Sequence, residues 1–339
     1  MNAPVDGQPK PSRPAFRRLV CLLWVLAVLA AAFPIVTYLR MSRRGPQWQR
    51  VVQEPSRSAE DTARTQPIRE MMAKLRALHG PLPKPGPHDW LANHKEDGQT
   101  FDEYLAASPV ILGADGRRVL YIQPLGEFSA MQRKIVTLTA DFMKLYFNTD
   151  VRVKEDLPLS LVPDGSKRAA RGFGQQYHAG FILHDILKPR LPADAVASIA
   201  FTAADLYPED SWNFVFGEAS LYERVGVWSL ARYGDPDEDA AAFRLCLLRT
   251  IKTATHETGH MFTMQHCILH PCNMNGSNHL MEADATPLAL CPECQAKLCW
   301  ATGADPAEQF KKLGAFCKEL GLKEDEASYV KSLEALGKR

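Results

Sequence analysis

The chain carries no excess of either charge: 40 lysines and arginines face 39 aspartates and glutamates. A nucleic-acid binder concentrates basic residues on its domain, so no nucleic-acid partner is expected. Internal repeats and low-complexity tracts are also missing. With 46% hydrophobic and 23% charged residues, the composition sets aside disordered, collagen-like and coiled-coil classes. Nor are the cysteines spread as paired bridges through a small domain, as a disulfide framework requires. Four of the eight (Cys267, Cys272, Cys291 and Cys294) crowd into one stretch, while Cys21, Cys246, Cys299 and Cys317 are scattered. A length of 339 residues allows one large domain or two modest ones.

What is present begins with an apolar run. Leu19 to Leu39 (LVCLLWVLAVLAAAFPIVTYL) holds no charged residue, and about 20 apolar residues suffice to span a bilayer. A single-pass membrane location, with membrane contact through residues 19–39, is therefore expected. Arg13, Arg17 and Arg18 precede the run and Arg40, Arg43 and Arg44 follow it, so its orientation is weakly determined. Two other readings stay open: a cleavable signal peptide ending at Ala30-Ala31-Ala32, and a buried core helix. The expected order is a basic tail (1–18), cytosolic or exposed, an anchor (19–39), a linker with a short helix (40–79), a folded domain (80–320) and a helical tail (321–339).

Within the folded part, short apolar runs alternate with helical periodicity. Val119–Gln123, Val151–Val153 and Val196–Phe201 read as strands. Ile135, Leu138, Phe142, Leu145 and Tyr146 repeat at helical spacing, and Tyr177–Leu187 reads as a further helix. Phe214–Phe216 and Gly226–Leu230 suggest two more strands. The alternation predicts an α/β (α+β) fold with a mixed sheet. Asp235, Pro236 and the acids that follow form a helix start, from which the pattern runs through Phe243, Leu247 and Ile251 to His260.

That helix carries His256-Glu257-Thr258-Gly259-His260. Positions i and i+4 project from one face, so both imidazoles can reach one tetrahedral zinc. Glu257 is turned away from the pair, placed to act as general base on a zinc-activated water. His266 follows six residues beyond His260 as the third expected ligand, with His270 as a substitute. Three protein ligands leave a fourth position open, as a catalytic site requires. Cys267, Cys272, Cys291 and Cys294 form two close pairs suited to a second, structural zinc that would pin the loop bearing His266. Two disulfides or free buried thiols are the alternative. His178, His184 and His279 are expected to be structural or exposed.

The run HETGHMFTMQH resembles the metzincin arrangement, and with Cys267, Cys272, Met274 and the distant CPEC it resembles the archaemetzincin family. IQPLGEF (122–128), DLYP (205–208), the stretch 213–233 and GQTF (98–101) are similar to that family too. The resemblance covers roughly residues 80–320. It implies a metallopeptidase acting on a peptide or protein substrate. Its sheet-bearing upper subdomain would end near residue 261, with a smaller C-terminal subdomain from about 262. Two zincs per chain are expected, and Met274 would be the Met-turn residue beneath the catalytic one. The strand around Arg224–Leu230 is expected to be the edge along which a peptide pairs. One position departs: metzincins usually have glycine where this chain has Thr263, and a β-branched residue is disfavoured at the positive φ of a sharp helix end. The other reading is accordingly a zinc-binding scaffold that keeps the fold without catalysis. Oligomeric state is not legible.

Overall fold

A computed structural model describes residues 59–220 and 222–338. Residues from Ala59 onward form one compact unit. Eight strands and eight principal helices build it: α1 (Ala59–Leu75), α2 (Phe101–Ala106), β1 (Val119–Leu125), α3 (Ala130–Tyr146), β2 (Asp150–Val153), β3 (Lys167–Ala170), β4 (Gly174–His178), β5 (Ala195–Thr202), β6 (Asp205–Tyr207), β7 (Gly217–Ser220), β8 (Val225–Ser229), α4 (Ala240–Met261), α5 (Leu280–Ala285), α6 (Pro292–Thr302), α7 (Pro306–Leu320) and α8 (Lys323–Ala335).

The main sheet has the order β2-β1-β5-β8-β7. Its first four strands are parallel, and β7 runs antiparallel to β8. Strands β1, β5 and β8 are buried along their whole length. That burial accounts for their nearly unbroken apolar sequences, because a parallel strand is covered on both faces. A smaller sheet, β3-β4-β6, lies alongside in the chain order. One core joins the sheet to α3 and α4 through Leu120, Ile122, Phe142, Trp228 and Leu247, and continues into the C-terminal helices. A second core covers the other face with Ile182, Leu183, Ile186 and Leu187 against Ala200, Val225 and Val227.

The mixed α/β fold and the strands at 119, 151, 196 and 226 agree with the sequence reading. Several boundaries move. β1 passes through Pro124 to Leu125 instead of stopping before it. Tyr177 lies within β4, which His178 closes, and the helical residues begin at Ala179 and continue as a wider π turn over Ile182–Leu187. Phe214–Phe216 is not a strand: Val215 makes one bridge to Leu206. The active-site helix starts later than expected, because Asp239, not Asp235, accepts the amides of Ala241 and Ala242. Helix α1 begins at Ala59, inside the stretch expected to be linker. The strand expected at the edge, β8, lies between β5 and β7, so the edge is β7.

The expected single-pass membrane location is corrected. Among the described residues no helix is long and apolar enough to cross a membrane. Helix α4, at 22 residues, has the length, but Arg244, Arg249, Lys252 and Glu257 interrupt its apolar face. The segment 19–39, on which the anchor rested, lies outside the described residues.

Candidate metal centre

Helix α4 ends in the cleft. Its last two turns carry His256, Glu257 and His260, and the chain then turns sharply at Phe262–Thr263 into an irregular loop. That loop brings His266 back, so that the three imidazoles lie with centroids 4.7 to 5.3 Å apart. Each offers a ring nitrogen to a common locus. His270, the substitute, does not join them: its Nδ1 bonds to the Gly80 carbonyl at 2.7 Å.

The turn is where Thr263 matters. Its φ is +70°, the left-handed conformation that glycine adopts freely. A β-branched residue there costs roughly 1–2 kcal/mol. Local bonds offset part of that. Thr263 N–H donates to the His260 carbonyl at 2.9 Å, and Thr263 Oγ1 accepts from the Val110 amide at 3.1 Å. The turn therefore keeps its glycine-like shape without glycine.

Each imidazole has one nitrogen already committed. His256 Nδ1 bonds to the Asn273 carbonyl at 2.7 Å, and His260 Nδ1 to the Met264 carbonyl at 2.6 Å. His266 Nδ1 bonds to Glu96 Oε1 at 2.8 Å. A carbonyl only accepts, so Nδ1 of His256 and His260 carries the proton and Nε2 keeps its lone pair. The Nε2 atoms of His256 and His260 face each other at 3.0 Å. Two lone pairs opposed at that range repel unless a cation lies between them. Tetrahedral zinc, with Zn–N of about 2.0–2.1 Å, needs nitrogens roughly 3.3 Å apart, so the donor set fits that metal. Burial holds all three imidazoles below the ordinary histidine range, which keeps them neutral and able to ligate.

Beneath the helix, buried Met274 packs against Gly259. A Cβ at Gly259 would stand 2.8 Å from Met274 Sδ, so glycine here admits the methionine. The 273–275 turn also ties neighbouring parts together: Cys267 N–H donates to the Met274 carbonyl at 2.7 Å, and Asn275 Nδ2 donates to the Cys267 carbonyl at 2.7 Å.

The four cysteines meet in the core directly behind the loop. Their sulfurs form one cluster, with Cys267 and Cys291 Sγ 3.6 Å apart. A disulfide needs about 2.05 Å, whereas thiolates on one tetrahedral zinc stand roughly 3.8 Å apart. All cysteines among the described residues are free, which sets the disulfide alternative aside. Hydrogen bonds from the other three thiols hold Cys267 far below the ordinary thiol range, the state a ligand needs. Burial of Cys272, and proton sharing with its neighbours at Cys294, push those two upward, as expected of thiols competing for one charge.

A cleft of about 750 Å³ opens beside the histidines, lined by Glu257, Trp212, Phe214, Phe216, Tyr233 and Arg249 among others. Phe214 and Phe216, read from sequence as strand residues, are instead an aromatic wall with ring centroids 5.1 Å apart. Arg249, which also lines the cleft, pairs with Asp284 at 2.6 Å and donates to the Tyr233 carbonyl at 3.0 Å. The three histidines expected to be structural or exposed lie outside the trio: His178 caps Phe181 N–H, His184 pairs with Glu223, and His279 caps α5 while facing Asp89.

Sequence reasoning missed the segment 96–104, which wraps the loop. Gln99 Nε2 donates to the Thr263 carbonyl, Gln99 Oε1 accepts the Gln265 amide, and Tyr104 OH donates to the Phe262 carbonyl. Gly98 has φ +70°, and a Cβ on it would strike Ile268 at 2.6 Å, so the segment lies directly on the loop. GQTF was noticed as a resemblance, but nothing local linked it to residues 170 positions away.

Comparison with known proteins finds relatives of one family. The profile described as Peptidase family M54 matches residues 182–299. Archaemetzincin-2 of Homo sapiens is 35% identical over 266 residues, covering 70% of this chain and 74% of that protein. The archaemetzincin of Thermococcus kodakarensis is 33% identical over 189 residues, covering 53% of this chain and 95% of that one. Among solved structures, archaemetzincin from Archaeoglobus fulgidus, complexed with malonate, is similar at 31% identity and a TM-score of 0.41, covering 53% of this chain and 99% of that chain. On the sequence matches and the zinc-ligating residue types gathered in one cleft, the chain belongs to the archaemetzincin family and is a zinc metallopeptidase.

Proposed function

We propose that His256, His260 and His266 hold the catalytic zinc, that Glu257 is the general base, and that Cys267, Cys272, Cys291 and Cys294 hold a second, structural zinc. The observation that carries this reading is the opposed Nε2 pair of His256 and His260 at 3.0 Å, each ring having its other nitrogen on a main-chain carbonyl. Zinc in that position supplies Lewis acidity, lowering the pKa of a coordinated water to about 7 and polarising a carbonyl.

The rest of the chemistry falls to the chain. The cleft, lined by Phe214, Phe216, Arg249 and Asp284, receives a peptide or protein segment. Edge strand β7, whose outer side has no strand neighbour among the described residues, offers main-chain groups for pairing with an extended peptide. Glu257 takes the proton from the attacking water and delivers it to the departing amine nitrogen. Met274, packed on Gly259, supports the turn of helix that carries the two ligands. The sheet-bearing part to about residue 261 and the helical part beyond it supply opposite sides of the cleft.

The scaffold reading drew on Thr263 and on a near-neutral charge, and the shape of the turn weighs against the first. The backbone accepts a positive φ at Thr263 and still returns His266 to the other two histidines. Metal analysis tests the assignment. The wild-type chain should hold two zincs, one removed readily by a chelator, and H260A should lack the exchangeable one while keeping the other. A single zinc per chain in the wild type, or an unchanged exchangeable zinc in H260A, would refute it.

A further inference from the structure

The three histidines are not held alike. His256 and His260 sit on a rigid helix and donate to neutral main-chain carbonyls supplied within the active-site region itself. His266 sits on a loop without regular structure, and its partner is a carboxylate from a distant part of the chain. Glu96 Oε1 lies 2.8 Å from His266 Nδ1. Glu96 Oε2 is sealed from solvent with no hydrogen-bond partner among the described residues. Trp90, six residues earlier, sets its ring edge-on to His266 with centroids 5.1 Å apart. One strap therefore supplies both the charge and the packing that orient this imidazole.

From this we infer that Glu96 is a positioning residue for the third ligand, and that it gives His266 a charged hydrogen-bond partner where His256 and His260 have neutral carbonyls. The inference rests on the zinc assignment above. The physical case has two parts. A carboxylate bonded to Nδ1–H holds the ring with Nε2 inward and raises the electron density that Nε2 presents to a cation. Burying a carboxylate oxygen without a partner costs free energy, so fold stability does not account for glutamate at this site. The strap's hold on the loop at Ile268, Thr263 and Gln265 fixes Glu96 relative to His266, which makes the bond directional.

The test measures metal on the full chain. Zinc affinity at the exchangeable site is found by competition with a chromophoric chelator, and the cobalt(II)-substituted site is followed by its visible absorption. Variants are E96Q, E96A and, as reference, H266A. E96Q keeps the acceptor oxygen and the volume but not the charge. Both Glu96 variants should weaken the exchangeable site by about 10–100-fold, E96A more than E96Q, and alter the cobalt spectrum. The tightly held thiolate metal and the unfolding midpoint of E96Q should match wild type. If E96A fails to fold, E96Q decides alone. Wild-type affinity and spectrum in E96Q would overturn the inference. So would equal loss of both metals in E96Q, which marks a merely structural role. H266A separates the two levels: if it too keeps wild-type affinity, the zinc assignment has failed; if only the Glu96 variants do, the inference about Glu96 has.

Discussion

Gln99 holds Thr263 by its main chain: the Gln99 side-chain amide donates to the Thr263 carbonyl at 3.3 Å, while its side-chain oxygen takes the Gln265 amide at 3.2 Å. Gln99 is itself anchored, since the ammonium of fully buried Lys297 donates to its carbonyl. Lys297 lies on α6, whose N-terminal turn carries Cys294. The left-handed turn before His266 is thus tied through one glutamine to the helix of the four-cysteine cluster.

That arrangement predicts how Thr263 responds to replacement. Thr263→Gly removes a left-handed cost of roughly 1–2 kcal/mol. It also loses the hydrogen bond from Val110, worth about 1 kcal/mol, and frees the unfolded chain by roughly 0.4–1 kcal/mol. The net change should lie within about 1 kcal/mol of zero. Thr263→Ala keeps most of the backbone cost and loses the bond, so it should destabilise by roughly 1 kcal/mol. Chemical denaturation measures both. A gain above about 2 kcal/mol for the glycine variant would show that the surrounding contacts do not offset the strain.

The cysteine cluster is predicted to support the catalytic ligands as well as the fold. Cys267 follows His266 directly, and its amide donates to the carbonyl of Met274. C291S/C294S should lose the tightly held zinc and should also bind the exchangeable zinc at least about tenfold more weakly. Competition titration of the folded fraction checks this. Unchanged affinity at the exchangeable site would show that the two centres are independent.

Acid sensitivity of the active-site helix should trace in part to Asp239. Its carboxylate accepts the amides of Ala241 at 2.7 Å and Ala242 at 2.8 Å, which hold its pKa below the ordinary aspartate value. A depressed folded-state pKa contributes stability above the unfolded value of about 3.9, and loses it as pH falls through the lower folded value. Asp239→Ala should therefore reduce stability near neutrality and flatten its dependence on pH across that acid window. Unfolding midpoints measured from pH 6 down to the acid transition would show it. Parallel curves for both proteins would contradict the assignment.

Much of the centre was legible because its chemistry is local in sequence. HETGH places both imidazoles on one face by helical geometry alone, and two close cysteine pairs identify a thiolate cluster. The position of Thr263 was legible as a conflict between a β-branched residue and a turn. Glu96 and Gln99 were not, since their partners are 170 and about 165 positions away and no periodicity links them. The edge strand was misread for a related reason. Val225–Ser229 looks the stronger strand because it is buried on both sides, while the true edge, Gly217–Ser220, is short and weakly apolar as exposed edges tend to be. In the run Asp235 to Asp239 several residues are competent caps, and only three-dimensional packing selects the last.

The central claim is that Glu257 acts on a water at a zinc held by His256, His260 and His266. Glu257→Gln tests it most directly, with zinc per chain and peptide hydrolysis measured on the same sample. The account predicts two zincs, as in the wild type, and a rate lower by about 10²–10⁴-fold. Hydrolysis at the wild-type rate by the two-zinc variant would contradict it.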